Sequence, residues 1–535
     1  MRSSLMILSL LALACSSAPD DPNQKILSDL ASKDDKVRLN AAESLRNISL
    51  QLPKIEGAKD KILAAFAVDG SHRGTLAMVM GKAWGEPIIP ELLKGLRKEG
   101  LVPVTTGEKQ ANSANRSIGT ALREMAKKQG VKLGDAVSEA AAPYANSGDI
   151  QTALAFIELL GVTGSKRGTQ DLLDMIADSE NNFIVKNCII ALGNIRDSKS
   201  IDVLIEHMFR ERMGVSFYAE SSFALFQHGG VEGLMGKLND AFDGKNTKVN
   251  DMMKGSKACQ DAKGTCYVVQ AKVAEVMSDV GLTNEQITKL NKVATGKGVN
   301  QQLVRKIIEA LGRTGRKEAV AEIMKHKNNL TVREFVGRAI ARIGDRKAAL
   351  ALARQGSKKS FLSDAKKMGY GADAAAQSEL EIRRFTLENA SRAGDDKVTA
   401  LLEKYAKAEK TPKVKAMIEQ QVKRSKVYDK CKADLTCYRG LLASDEPLIR
   451  EKAAYELAFA KDVQSVDALV KTIDSKIDDT NESRFAKFWA LWQIGPKNAT
   501  KYLKRLNKMA QADKKNQDYV RIAAEVKRLV DRIKR

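Results

Sequence analysis

The strongest constraint on the fold is an internal repeat that runs through most of the sequence. The recurring sequence pattern, called the row below, begins with an apolar residue that is usually followed by a basic one. A small or apolar residue comes four positions after the first, and Leu or Ile comes eight positions after it. Segments 37–45, 303–312, 332–340 and 449–457 carry this row. Positions zero, four and eight share one face of an α-helix, since a turn takes 3.6 residues. Each segment is therefore predicted to be a helix with one buried face.

The spacing of the repeat indicates two helices per unit. The eighth-position residues Leu160, Leu192 and Leu225 are 32 and 33 residues apart, and Leu457 and Leu491 are 34 apart. A short turn and a second apolar helix follow the first, most clearly after Leu192. One helical hairpin cannot bury its own apolar stripe, so neighbouring hairpins must stack. The predicted fold is all-α, a right-handed α-solenoid of helical hairpins.

This row resembles HEAT repeats, in particular the short bacterial kind related to those of phycobilisome lyases. In that family a Val-Arg-x-x-Ala-x-x-x-Leu-Gly helix is followed by a Gly-Asp turn, and Gly344-Asp345 and Arg196-Asp197 occupy that turn here. The signature of tetratricopeptide repeats, the nearest competing class, is missing. The resemblance implies a HEAT-like superhelix whose concave face binds a partner, and it is specific for fold rather than for function.

The periodicity is interrupted at residues 101–117, 239–265 and 355–380, which we predict to be loops or subdomain joints. These breaks suggest a division of the repeat region into arrays. The predicted arrays are residues 22–242, residues 243–380 with a disulfide corner and an insertion, and residues 381–535 with a basic end.

The first residues have the pattern of an export signal. Arg2 supplies a positive charge, Leu5 to Ala14 form an apolar run, and Cys15 follows. This run is too short to cross a bilayer of about 30 Å as a helix. It resembles the lipobox of bacterial lipoproteins, which implies a signal peptide at 1–14, acylation of Cys15 and a tether at 15–21. The protein would then be a membrane-anchored lipoprotein of the bacterial cell envelope, periplasmic or surface-facing. An ordinary secretory signal and a cytosolic N-terminus are the alternatives.

Two local cysteine pairs are consistent with export. Cys259 and Cys266, and likewise Cys431 and Cys437, enclose an Asp and end in Thr-Cys-Tyr. We predict a disulfide in each pair, joining two helices at a corner, with Thr265 and Thr436 as N-caps. Free thiols are the alternative; neither pair has metal-ligand spacing. The remaining Cys188 lies among apolar residues and is predicted to be buried.

The chain is strongly basic, with 89 Lys and Arg against 66 Asp and Glu and a net charge of +23. This excess favours anionic partners without choosing among them. The clearest basic feature is near the C-terminus, where Lys501, Lys504, Arg505 and Lys508 are predicted to share a helix face and form a candidate anion- or partner-binding stripe. A solvated helix face is the alternative. The Arg repeated at the second position of the row is predicted to pair with a turn carbonyl or carboxylate.

No catalytic motif is recognisable, and the four histidines are scattered singly. We therefore predict no cofactor, no metal and no enzymatic activity. The predicted function is an envelope-anchored HEAT-repeat scaffold that binds a protein or an anionic envelope component. An enzyme or lyase-like chaperone on the same scaffold is the first alternative. A nucleic-acid-binding protein is the second if the export signal is not real. The oligomeric state stays open.

Overall fold

The computed structural model describes residues 21–98, 106–259, 265–473, 481–515 and 526–530. These residues form helices throughout, with one two-stranded hairpin of β1 (Glu211–Arg212) and β2 (Val215–Ser216). The all-α solenoid of helical hairpins predicted from the repeat is thus what the chain adopts. Cys15 and the export signal lie outside the described residues. None of the described helices is long and apolar enough to cross a membrane.

The helices before residue 230 are α1 (Pro22–Asp29), α2 (Asp35–Ile48), α3 (Ala58–Ala67), α4 (His72–Trp84), α5 (Ile89–Lys94), α6 (Thr106–Gln129), α7 (Asp135–Ala145), α8 (Ile150–Thr163), α9 (Thr169–Asp178), α10 (Asn182–Ile195), α11 (Ile201–His207) and α12 (Tyr218–Gln227). Short 3-10 segments lie at Leu52–Lys54, Glu86–Ile88, Lys166–Gly168, Ser198–Ser200, Lys317–Ala319, Val463–Ser465 and Pro496–Tyr502.

The later helices are α13 (Leu234–Phe242), α14 (Thr247–Lys254), α15 (Tyr267–Val280), α16 (Asn284–Ala294), α17 (Gln301–Arg313), α18 (Val320–Met324), α19 (Arg333–Ile343), α20 (Arg346–Gln355), α21 (Lys358–Lys367), α22 (Ala372–Ala393), α23 (Asp396–Ala408), α24 (Pro412–Cys431), α25 (Leu435–Leu441), α26 (Pro447–Ala460), α27 (Val466–Ile473), α28 (Asn481–Ile494) and α29 (Leu503–Lys515).

The chain forms two compact units. The first holds the described residues up to Leu204 together with Arg212–Ala224, and the second holds Ile205–Glu211 and the described residues from Leu225 onward. In the first unit, α2, α4, α6, α8 and α10 pack successively against one another. In the second unit, α15, α17, α19, α22, α24, α26 and α28 do the same. The array boundaries predicted at 242 and 380 stay predictions.

Glycine in the repeated Leu-Gly pair lets successive helices approach closely. A Cβ atom built on Gly312 of α17 would lie 2.6 Å from the Cβ of Ala339 on α19. One built on Gly161 of α8 would lie 2.8 Å from the Cα of Ala191 on α10. Such distances are below van der Waals contact, so only glycine fits at these crossings. The small residues in the sequence row are therefore the contact points of stacked hairpins.

The repeated arginines bind backbone carbonyls, as predicted. Arg333 Nε donates to Lys327 O at 2.8 Å, Arg383 Nε to Gly356 O at 3.0 Å, and Arg450 Nη1 to Ser444 O at 2.7 Å. All three arginines are buried. A buried cation is tolerated when its donors are paired, and the accepting carbonyls lie at the C-cap of α20 (Gly356) or in turns between helices (Lys327 and Ser444). The row therefore encodes the turns as well as the buried helix face.

The predicted loop at 355–380 is largely helical and is the clearest local departure from the sequence analysis. It contains α21 and the start of α22. Phe361 of α21 is buried in a small apolar cluster with Leu330, Ala365 and Ala375. The segment breaks the repeat period because it adds a helix, and burial of Phe361 stabilises that helix against the array.

A network of buried charges occupies the interior of the second unit, where α22, α24 and α26 meet. The carboxylate of Glu451 is 2.7 Å from Arg392 Nε and 3.0 Å from Arg424 Nη2, and all three side chains are buried. Burial alone would raise the pKa of Glu451, but the two guanidinium groups outweigh it and lower that pKa. Glu451 is therefore held ionised between two helices that precede its own.

Lys452, the next residue, extends this network. Its ammonium group is fully buried and donates to Arg392 O at 2.8 Å and Gly394 O at 2.9 Å. It also lies 2.7 Å from Glu456, which accepts from Arg346 Nη1 at 2.9 Å. Since Arg346 begins α20, the network ties together helices that are 110 residues apart in the chain.

The second unit also folds back on itself at α28. Trp489 Nε1 donates to Arg342 O of α19 at 3.2 Å, and the Arg342 guanidinium lies over the Trp489 ring at 5.6 Å. Trp492 stacks on Phe226 of α12 with ring centroids 5.9 Å apart. Helices that are far apart in sequence are therefore in contact in this unit, and both tryptophan side chains of α28 pack against other residues of the unit.

Candidate functional site

Both cysteine pairs predicted from the sequence lie close together in the structure. The Cα atoms of Cys259 and Cys266 are 5.2 Å apart and those of Cys431 and Cys437 are 5.5 Å apart, and each pair is joined as a disulfide. Both pairs belong to the second unit. Cys188 is the free cysteine of the described region and is fully buried, and burial raises the pKa of its thiol to about 12.

The predicted N-caps at these corners are wrong. Asp434, and not Thr436, caps α25, because its carboxylate accepts hydrogen bonds from Thr436 N at 2.8 Å and Cys437 N at 3.2 Å. Its position two residues before the Thr lets one side chain satisfy two otherwise unpaired amides. In the first corner the N-cap of α15 is Cys266 rather than Thr265.

The basic residues proposed as a stripe do not lie on a single helix. Lys501 belongs to the 3-10 segment Pro496–Tyr502, whereas Lys504, Arg505 and Lys508 belong to α29. The Lys501 ammonium is 2.9 Å from the Asp467 carboxylate. Lys504 and Lys508 are exposed and Arg505 is half-buried. The helix begins later than the charge spacing predicted because Gly495 and Pro496 open a tighter turn before it.

The first unit contains a cleft that sequence analysis did not identify. It measures about 520 Å³ and lies between the ends of two neighbouring hairpins, α7–α8 and α9–α10. The beginnings of α8 and α10 are fixed by side-chain caps: Asp149 accepts from Thr152 N at 2.9 Å, and Asn181 accepts from Phe183 N at 2.8 Å. These caps hold the two helix starts that border the cleft.

The floor of the cleft is apolar. It is lined by side chains from all four helices: Ala142, Ala145, Ile150, Ala153, Met175 and Ile184. Most of these residues are buried, but Ile150, the first residue of α8, is 47% exposed. An apolar side chain with this exposure in the lining of a cleft can lose water when a ligand binds.

The rim of the cleft is acidic, in contrast to the rest of this basic chain. Asp171, Asp174 and Asp178 follow one face of α9 at the spacing i, i+3 and i+7, and Glu180 follows in the turn. Asp174 accepts from Gln170 Nε2 at 2.7 Å. Among the described side chains, no Lys or Arg forms an ion pair with any of these four carboxylates. The rim therefore presents negative charge to solvent.

Beside the cleft, two more apolar side chains are exposed. Phe183 at the start of α10 is 68% exposed and Met213 is 89% exposed. The strand pair that carries Met213 is attached to α10 by Arg212, whose Nε donates to Asn182 Oδ1 at 2.7 Å and whose Nη1 donates to Ser179 O at 2.8 Å. Met213 and Gly214 at the hairpin tip both have positive φ, of 53° and 72°. Arg212 thus holds the exposed side chain of Met213 next to the turn between α9 and α10, which borders the cleft.

The cleft places exposed carboxylates beside apolar side chains, an arrangement that can bind a ligand. Within the described ranges, no three His, Cys, Asp or Glu side chains are grouped so that they could hold a metal ion. The spacing of Asp171, Asp174 and Asp178 was visible in the sequence as an acidic row in a basic chain. The closeness of this acidic row to Ile150 could not be seen in the sequence, because it depends on which hairpin ends become neighbours in the fold.

The sequence matches no protein-family model, and it matches no curated protein. Among solved structures, a similar chain trace occurs in importin beta crystallised in ammonium sulfate, with 10% identity and a TM-score of 0.45, covering 96% of this chain and 67% of that one. Kap95p in its complex with RanGDP has 11% identity and a TM-score of 0.43, covering 95% and 70%. Human deoxyhypusine hydroxylase has 16% identity and a TM-score of 0.19, covering 59% and 94%. The assignment of the fold rests on the helices and packing described above.

Proposed function

We propose that this chain is a non-catalytic scaffold that is anchored in the bacterial cell envelope and binds a protein partner on its first unit. The observation that carries the proposal is the cleft between α7–α8 and α9–α10, with its apolar floor, its exposed carboxylates and the neighbouring Phe183 and Met213. Exposed apolar side chains gathered around a concave site are typical of protein-binding surfaces.

Export is supported by the cysteine pairs together with the sequence pattern at Cys15. Structural disulfides persist in oxidising compartments and are rare in the cytosol. A lipid on Cys15, followed by the tether at 15–21, would hold the helical array at a membrane surface without any membrane-spanning helix. Metabolic labelling with radioactive palmitate, followed by membrane fractionation, tests the anchor. Cys15→Ser should abolish both label and membrane retention, and an unlabelled wild-type protein would contradict it.

Partner binding at the cleft is tested by site-specific photo-crosslinking in the native cell. Asn146 lines the cleft and is exposed, so a benzophenone amino acid placed there should give a discrete crosslinked product. Gln51 is equally uncharged and exposed in the same unit but lies away from the cleft, which makes it the matched control. Equal products from both positions, or none from Asn146, would contradict the proposal.

A second candidate surface is the pair of exposed lysines Lys504 and Lys508 on α29. They favour an anionic envelope component as a second ligand, because an exposed lysine near an anionic surface contributes about 1 kcal/mol to binding. Since Lys501 is ion-paired with Asp467, this surface carries less available charge than the four-residue stripe predicted from sequence. We therefore place the protein partner on the first unit.

A further inference from the structure

The chemistry of the cleft narrows the class of partner, on the assumption that the proposed function is correct. We infer that the cleft between α7–α8 and α9–α10 binds a short extended segment of the partner protein that carries both cationic and apolar side chains. Two independent features of the first unit support this inference: the negative charge on the rim, which includes Asp178 at the unfavourable end of α9, and the apolar surface that continues beyond the cleft.

The rim charge is complementary to lysine and arginine. Asp174, Asp178 and Glu180 are exposed, and Asp171 is half-buried. Elsewhere in this unit, acidic side chains often find a base nearby, as Glu158 does with Arg123 and Lys127. Within the described part of the chain, no base forms an ion pair with any of the four carboxylates here. Arg212 binds the carbonyl oxygen of Ser179 between Asp178 and Glu180, and four carboxylates against this one guanidinium leave the rim net negative. An incoming cationic segment would meet a focused negative field in a molecule whose net charge is +23.

Asp178 is placed where the helix itself disfavours it. It is the last residue of α9, and no basic residue lies in that last turn. Carboxylates at a helix C-terminus face the negative end of the helix dipole, which is unfavourable. The fold therefore gains nothing from this charge at this position, whereas a bound cation would.

The exposed apolar side chains near the cleft narrow the class of ligand further than the negative charge alone does. Ile150 borders the cleft, and Phe183 and Met213 extend the apolar area over the adjoining turn, where Arg212 fixes the hairpin. A simple polyamine would use the carboxylates and leave these side chains in water. A peptide with alternating cationic and apolar residues would place one set on the rim and the other on the floor. The volume of about 520 Å³ accommodates a few side chains rather than a folded domain.

A metal ion is a poor occupant for this site. The four carboxylates are spread along two turns of α9 and the following turn, and no metal-holding group of His, Cys, Asp or Glu occurs among the described residues. Hard cations such as Ca²⁺ require six to eight oxygen ligands that converge on one point. The rim forms a line of charge instead, which matches a chain of basic residues better than a single ion.

The charge is tested with purified full-length protein and a short fluorescein-labelled peptide in which arginine alternates with leucine. Fluorescence anisotropy should show binding that weakens as salt rises. Asp174→Asn, Asp178→Asn and Glu180→Gln combined should weaken it by about tenfold, since each exposed ion pair contributes only a fraction of the total. The control combines Glu56→Gln, Asp60→Asn and Glu86→Gln, which remove the same charge from exposed positions of the same unit away from the cleft. It should change binding less than about twofold.

The apolar contribution is tested by a pair of equally exposed residues. Phe183→Ser should weaken the arginine–leucine peptide by about threefold to tenfold, since it removes apolar area that would be buried on binding. Leu50→Ser is the control, because Leu50 is 69% exposed against 68% for Phe183 and lies away from the cleft. A peptide in which arginine alternates with serine should bind the wild-type protein more weakly than the leucine peptide does.

Several results would overturn the inference. Equal weakening by the rim and control triple variants would mean that only general charge attraction is measured. Displacement of the peptide by spermine at the same concentration would identify a polyamine site. If the partner still crosslinks at Asn146 in the Asp174→Asn, Asp178→Asn, Glu180→Gln protein, the inference fails and the proposed function stands. If no partner crosslinks in the wild-type protein, the proposed function fails, and the anisotropy data still report the chemistry of the cleft.

Discussion

Two clusters of charged side chains, one in each unit, are used in opposite ways. In the first unit, the carboxylates of α9 face water and no base among the described residues pairs with them. In the second unit, Glu451 is 2% exposed and sits between two buried arginines. A buried ion is stable only when its partners are present, whereas an exposed one costs the fold little. The same helical-hairpin architecture therefore holds one charge cluster inside the second unit, where it joins helices, and leaves another exposed on the first unit, where a partner can reach it.

The largest expected effect comes from breaking the buried network. Glu451→Gln keeps the shape of the side chain but removes the buried carboxylate that Arg392 and Arg424 share, and leaves them only the more exposed Glu388. We expect it to lower the free energy of unfolding of the second unit by about 3 to 5 kcal/mol. Urea denaturation followed by circular dichroism measures the loss, and hydrogen exchange assigns it to peptides of α22, α24 and α26.

Glu403→Gln is the matched control for this change. Glu403 pairs with Lys426 at 2.9 Å in the same unit, but its side chain is 40% exposed. Solvent screens such a pair, so the same substitution should leave the unfolding curve almost unchanged. Similar losses from both substitutions would show that the buried network does not hold the second unit together.

A smaller effect is expected from the disulfides, both of which lie in the second unit. Replacing Cys431 and Cys437 by Ser should lower its stability by about 2 kcal/mol, because opening so short a loop releases chain entropy in the unfolded state. Reductant opens both bridges, so it should lower the stability of the wild-type protein by more than this substitution does, and it should have no effect on a variant that lacks all four paired cysteines. Hydrogen exchange in α8 and α10 of the first unit should be unaffected. Faster exchange there under reductant would contradict this confinement to one unit.

These two regions also show what the sequence could predict. The apolar row and its Leu-Gly pair predicted stacked helices, because both the face of a helix and its crossing point depend on local spacing. The arginine after the first apolar residue was correctly interpreted, since its partner is a backbone carbonyl, which in some repeats lies in the turn just before its helix, as with Arg450 and Ser444. Contacts between distant segments could not be predicted in this way. Glu451 and Arg392 are 59 residues apart. In the sequence alone, each looks like a charged residue on a solvent-exposed helix face.

The buried network should also make the stability of the second unit depend on pH, through Lys452. Burial lowers the pKa of Lys452 to about 8, against an ordinary value near 10.4 in the unfolded chain. Between these values the unfolded state binds more protons than the folded state, so the stability of the second unit should rise with pH. We expect a gain of roughly 1 to 2 kcal/mol between pH 8 and pH 10 from this residue.

Lys452→Met isolates this contribution. The variant loses three hydrogen-bond donations and is expected to be less stable throughout. The informative quantity is the slope of its unfolding free energy between pH 8 and pH 10, which should lack the wild-type rise. Buried tyrosines such as Tyr455, whose pKa burial raises, affect both proteins equally above pH 10. Parallel slopes in the two proteins would mean that Lys452 does not titrate in this range.

The smallest expected effect concerns the exposed lysines of α29, and it is an effect on binding only. Lys504→Glu with Lys508→Glu should leave unfolding unchanged, because both side chains are exposed. Retention of the Cys15→Ser protein on phosphatidylglycerol vesicles should fall by about tenfold, as expected from loss of attraction and added repulsion at an anionic surface. Lys358→Glu with Lys359→Glu reverses two exposed lysines elsewhere in the same unit and is the control. Since the cleft of the first unit prefers cations, the α29 reversal should leave binding of the arginine–leucine peptide unaltered. Loss of both activities together would mean that net charge, and not two separate surfaces, governs what this protein binds.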